Sequence, residues 1–146
     1  MLKKTNGGFL ISQIKQRQDR IFERILSDYD INEFNGAQGR ILYVLWQSDH
    51  IPIVELSRKT GLAKTTLTSM LDRMEQADLL QRVYNTKDRR QIQIVLTEKA
   101  KQLSDTYRQV SNEMTELFYK GFKDDEILQF ELYLNRILGN LMEQDQ

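Results

Sequence analysis

From Val83 to Thr97 the chain reads V-Y-N-T-K-D-R-R-Q-I-Q-I-V-L-T, two strand-like runs joined by a polar turn that carries Lys87, Arg89 and Arg90. Ile92, Ile94 and Leu96 alternate with Gln91 and Gln93, the period of a strand buried on one face. Just upstream, Ile53 to Thr60 reads as a short helix that Gly61 breaks. A longer helix from about Lys64 to Ala77 then repeats Leu67, Met70, Leu71 and Met74 along one face. Helix, break, helix and basic-tipped hairpin in that order spell a winged helix-turn-helix. The expected fold is therefore mainly α, with a two-stranded β-hairpin wing and helices at both ends.

The flanks follow the same logic. Leu10, Ile14, Ile21, Phe22, Ile25, Leu26 and Tyr29 recur at three and four, and Phe34, Ala37, Ile41, Val44 and Leu45 repeat the pattern. The sole proline, Pro52, suits a first helical turn, where a missing N–H costs nothing. Thr97 is placed to cap a helix whose Ala100, Leu103, Tyr107, Val110, Met114 and Leu117 form a heptad seam. After Gly121, the acidic run Asp124, Asp125 and Glu126 opens a last helix carrying Ile127, Phe130, Leu134, Ile137, Leu138 and Leu141. The whole chain, 1–146, reads as one unit in which 34–97 is the winged module. These terminal helices offer more apolar face than a module of that size can cover, so 9–29 and 98–143 are expected to form a homodimer interface.

Charge agrees with a nucleic-acid partner once it is counted by segment, although the net charge is zero. Residues 58–97 carry eight basic side chains against four acidic ones, whereas 98–146 carry six against ten. A B-DNA major groove admits one helix whose outward side chains are short and polar. Lys64, Thr65, Thr66, Thr68 and Ser69 meet that description, with Lys64 placed for a phosphate; Arg73 lies farther along the same helix. Threonine is a poor choice for a merely solvated helix face, which weighs against that blander explanation. Lys87, Arg89 and Arg90 at the wing suit the narrow, negative minor groove. Asp88 among them would repel phosphate, so its expected task is to hydrogen-bond within the turn and orient the arginines.

Other function classes find little support. The chain has no cysteine and a single histidine, His50, which excludes disulfides, thiolate metal sites and cysteine nucleophiles. It has no glycine-rich phosphate loop, and neither an enzyme nor a cofactor or metal is expected. No run of about 18 apolar residues is present to span a membrane, and a soluble cytoplasmic protein is expected. The remaining rival is a winged-helix module that binds protein and not DNA, which would have no need of a basic wing.

The run from Ile53 to Leu62, the segment Thr65-Thr-Leu-Thr-Ser-Met-Leu-Asp-Arg-Met-Glu75, and the wing's Asp88-Arg-Arg followed by Leu96-Thr97 resemble the MarR type of transcriptional regulators. The resemblance extends in length and helix order over essentially the whole chain. It implies a homodimeric regulator, a repressor of small-molecule-responsive genes, on a pseudopalindromic operator, with the helix from Lys64 in the major groove and Arg90 in the minor groove. It further implies that Asp72 pairs with a wing arginine, and that a small-molecule effector would lodge near Trp46, His50 and Tyr107. Three positions depart from the usual pattern: Ala63 where a capping Ser or Thr is common, Ser69 where a basic residue often lies, and Asp78 where a glycine normally ends the recognition helix.

Overall fold

A computed structural model describes residues 4–84, 87–88 and 91–145. The order is α1 (Gly7–Asp28), α2 (Gly36–Gln47), β1 (Ile51–Pro52), α3 (Ile53–Thr60), α4 (Lys64–Gln76), β2 (Leu80–Tyr84), β3 (Ile92–Leu96), α5 (Glu98–Gln102), α6 (Ser104–Phe118), α7 (Asp124–Met142) and a closing 3₁₀ turn at Glu143–Asp145. The chain divides within α6 into one compact unit that ends at Ser111 and a second that begins at Asn112.

In the first unit the core is aliphatic. Ile41, Leu42 and Leu45 of α2, Leu56 of α3, Leu67, Leu71 and Met74 of α4, Leu80 of β2 and Ile94 of β3 are fully buried. Removing each such side chain from water stabilises the fold by about 1.5–3 kcal/mol, so the pattern read from sequence is also the energetic basis of the module. Ala37, placed on the apolar stripe by spacing, is exposed, and Gly39 and Leu42 are buried on α2 in its stead.

Local chemistry sets the element ends. Asn35 and Gln38 close a reciprocal capping box at the start of α2, with bonds of 2.8 and 3.1 Å. Gly61 ends α3 in the left-handed conformation at φ 75°, and its N–H donates to the Ser57 carbonyl. Asp78 stands at φ 62° between α4 and β2, the position where a glycine would be less strained. Thr97 caps α5 as expected: its hydroxyl oxygen accepts from Ala100 N at 3.2 Å, and the hydroxyl donates to the Asp78 carbonyl at 2.8 Å.

The expected two-stranded wing is present as β2 and β3, and β1 extends it into a three-stranded antiparallel sheet of order β1-β3-β2, in which Ile51 pairs with Ile94 and Pro52 with Gln93. Two expectations need correction. Pro52 accordingly ends the edge strand β1 and precedes α3 as its N-cap residue, where its lack of an N–H is equally harmless. The helix after Thr97 is interrupted at Leu103, whose N–H bonds the Ala100 carbonyl in a tightened turn, so the seam is shared by α5 and α6.

In the second unit, Phe118, Tyr119, Phe122 and Phe130 form an aromatic cluster in which Tyr119 meets the other three rings edge-to-face. The Tyr119 hydroxyl donates to Glu131 at 2.6 Å, and burial together with that carboxylate pushes its pKa up to about 12. Leu128, Leu132, Tyr133, Ile137, Leu138 and Leu141 of α7 are exposed. In the first unit, Phe9, Leu10, Ile11 and Ile14 at the start of α1 are exposed as well. Among the described residues, no helix is long and apolar enough to cross a membrane.

Candidate nucleic-acid interface

Burial of Leu67, Leu71 and Met74 fixes the rotation of α4 and turns its other face outward. Lys64, Thr65, Thr66, Thr68, Ser69, Asp72 and Arg73 are all exposed on it. Ala63 supplies no side-chain cap at the start of α4, which leaves first-turn N–H groups available to a phosphate. The Thr68 hydroxyl donates back to the Lys64 carbonyl at 2.8 Å. It can therefore offer a partner its methyl group and a lone pair, but not that proton.

The hairpin beside α4 is in register from Leu80 opposite Leu96 to Tyr84 opposite Ile92. Lys87 and Asp88 are exposed, and the Asp88 carbonyl accepts from Gln91 N at 3.0 Å. Arg89 and Arg90 lie outside the described residues.

The connection between α4 and the hairpin that the resemblance implied for Asp72 is made by Arg82, and sequence reasoning missed both that arginine and the part Glu75 plays. Arg82, in the middle of β2, pairs with Asp72 and Glu75 of α4; Glu75 accepts from the Arg82 guanidinium at 3.0 and 3.3 Å and from the Arg82 backbone N–H at 3.1 Å. The backbone N–H and then the guanidinium hold the Glu75 carboxyl below its usual pKa, while the two carboxylates raise that of Arg82. Asp72 thus pairs with an arginine of the wing's strand. The helical offset of three between Asp72 and Glu75 was the available signal, since it puts both carboxylates on one face.

A third carboxylate secures the opposite edge of the sheet. Asp49 Oδ1 accepts from Leu96 N at 2.9 Å, taking the place of a strand partner beyond the two residues of β1. His50 follows at φ 60°, exposed, with Nδ1 3.7 Å from Asp49. Of the residues placed near an effector, Trp46 and Tyr107 are in ring contact at 5.0 Å. They belong to an aromatic cluster with Phe22, Phe34 and Tyr43, which does not include His50. The Trp46 indole donates to the Ala100 carbonyl at 3.0 Å, and burial raises the Tyr107 hydroxyl pKa. Among the described residues, no group of three or more His, Cys, Asp or Glu could hold a metal ion.

Comparison with known proteins agrees with this geometry. The model of the MarR family matches residues 34–92, the segment that holds α2 to β2 and reaches the start of β3. An uncharacterized HTH-type transcriptional regulator of Bacillus subtilis, YsmB, is 31% identical over 115 residues, covering 77% of this chain and 75% of its own. The chain belongs to the MarR family. Its similarity to the multiple antibiotic resistance protein MarR of Escherichia coli is 28% identity over 132 residues, 90% of each chain. The structure of a cysteine-to-serine variant of that protein, complexed with operator DNA, superposes with a TM-score of 0.80 at 27% identity, over 90% of this chain and 92% of that one.

Proposed function

We propose that the protein regulates transcription by binding a pseudopalindromic duplex operator as a homodimer, repressing genes that respond to small molecules. It is a DNA-binding transcriptional regulator that reads both grooves. The observation that carries this reading is the short, polar, exposed face of α4, held outward by three buried side chains and joined to the adjacent hairpin. Thr65, Thr66, Thr68 and Ser69 meet base edges in the major groove, and Lys64 and Arg73 neutralise phosphates. Lys87, Arg89 and Arg90 serve the minor groove, with Asp88 orienting them. The exposed apolar side chains of α1 and those of α7 are covered by a second copy of the chain, and the α4 helices of the dimer are spaced about 34 Å apart, one turn of DNA.

This reading also places the protein in the cytoplasm and has it act without catalysis. Its effector, a small organic molecule, acts through different affinities for two arrangements of the dimer. Selection of genomic fragments by the purified protein, with and without a panel of phenolic and lipophilic compounds, tests the proposal. Fragments that share two inverted half-sites support it; fragments with no common sequence refute it. Lys64→Ala should weaken all duplexes alike and lower the salt slope by about one.

A further inference from the structure

We infer that Glu75 is a positioning residue for DNA recognition: through Arg82 it sets the angle of the hairpin relative to α4, and so the register between the two groove-reading elements. The inference rests on the regulatory reading above.

The sheet order β1-β3-β2 leaves β2 as an open edge. Its outward N–H at Arg82 has no strand partner there, and the Glu75 carboxylate takes that bond while also holding the guanidinium of the same residue. The other edge of the hairpin is braced by β1, through Ile51 on Ile94 and Pro52 on Gln93. At its base the hairpin is anchored by the buried Leu80 and Leu96, whereas Tyr84 at its far end is 68% exposed. Arg82 is thus where the hairpin, on its β2 side, is tied to the helix that precedes it. At about 3.3 Å per residue, Tyr84, where β2 ends, lies about 7 Å beyond Arg82. A tilt of about 10° at Arg82 then moves that end of the strand by about 1 Å, against a tolerance of about 0.5 Å for productive contacts.

Asp72 also reaches Arg82, but it is the more exposed of the two carboxylates and bonds only the guanidinium. Glu75 alone bonds both the side chain and the backbone of the strand. It fixes the strand itself as well as the tip of a flexible side chain. Glu75 makes no contact with DNA in this scheme; it acts through the hairpin.

The test is a double-mutant cycle of Glu75→Gln and Arg90→Ala, read by fluorescence anisotropy on a selected operator fragment and on a scrambled duplex, with thermal melts to confirm folding. Glu75→Gln should lose about 10-fold in operator affinity, stay within twofold on the scrambled duplex, and add less than twofold to the loss caused by Arg90→Ala, because a misplaced wing and a wing without its arginine fail in the same way. Equal losses on both duplexes, or losses that multiply in full, overturn the inference. A DNA-free measurement separates this failure from failure of the regulatory reading. The chain lacks cysteine, so spin labels at Thr66→Cys and Tyr84→Cys report the α4 to β2 distance. Glu75→Ala should broaden that distance distribution or shift it by about 1 Å or more; an unchanged distribution overturns the inference even in a protein that binds its operator well. Wild-type protein that prefers no duplex overturns the regulatory reading, and with it the role of Glu75 in recognition, whatever the labels show.

Discussion

Asp49→Ala removes the acceptor for Leu96 N, a backbone donor at the edge of β3 that β1 is too short to reach. Leu96 is only 6% exposed, so water replaces the lost partner poorly. The same carboxylate oxygen accepts from His50 N at 2.9 Å and supports the left-handed turn there. A hydrogen bond to a charged group contributes about 1.5–3 kcal/mol, and an orphaned buried donor costs about 1–3 kcal/mol. These describe one loss from two sides, which sets the expected destabilisation at about 2–3 kcal/mol. Asp49→Asn keeps an oxygen acceptor and loses only the charge, so about 1 kcal/mol is expected. Urea unfolding at one fixed protein concentration measures both, the fixed concentration being needed because association adds a mass-action term. With a slope of about 2–3 kcal/mol per molar urea, Asp49→Ala should lower the midpoint by about 1 M. Exchange of the Leu96 amide should accelerate in the same variant. An Asp49→Ala protein within about 0.5 kcal/mol of wild type, below the range for a lost charged hydrogen bond, would refute the reasoning, as would equal costs for the two substitutions.

Gly39→Ala places a Cβ 2.9 Å from the Tyr107 ring and 3.2 Å from the Phe34 ring; a loss of about 1–3 kcal/mol and a changed near-ultraviolet circular dichroism spectrum are expected. Thr97→Ala loses both the cap on Ala100 N and the bond to the Asp78 carbonyl, costing about 1–2 kcal/mol in thermal or urea unfolding, while Thr97→Ser should recover most of it. The Glu75 carboxyl is held below its usual pKa in the folded protein, by the Arg82 N–H first and the guanidinium second. Its contribution to stability is therefore fully present above the ordinary carboxylate pKa of about 4.3 and is lost as pH falls through the lowered folded value. The stability difference between wild type and Glu75→Gln should be flat near neutrality and shrink on acidification, and a difference that stays constant down to pH 3, about a unit below the ordinary value, would contradict that assignment.

What was legible in the sequence was what repeats locally. Leu67, Leu71 and Met74 recur at helical spacing, and Ile94 and Leu96 at strand spacing, because each set must face one core. Gly61 and Thr97 could be read because left-handed turns and helix starts favour particular residue types. Asp78 was legible as the residue standing at a glycine's position, and its φ of 62° agrees. What remained hidden depends on partners brought together by the fold. Asp49 and Leu96 lie 47 positions apart, and Glu75 meets Arg82 across a turn. β1, two residues long, is too short to display a period. The interruption at Leu103 breaks no apolar spacing, so nothing in the pattern announces it.

Hydroxyl-radical footprinting of a selected fragment tests the central proposal most directly, because it reports which groove walls the protein covers and at what separation. Two copies joined through their terminal helices should protect two inverted patches on one face of the duplex, about 10 base pairs apart, with minor-groove protection outside each. Arg90→Ala should erase the minor-groove protection and leave the central patches. A single unpaired patch, or uniform protection that heparin competes away as readily as the selected fragment does, would contradict the account.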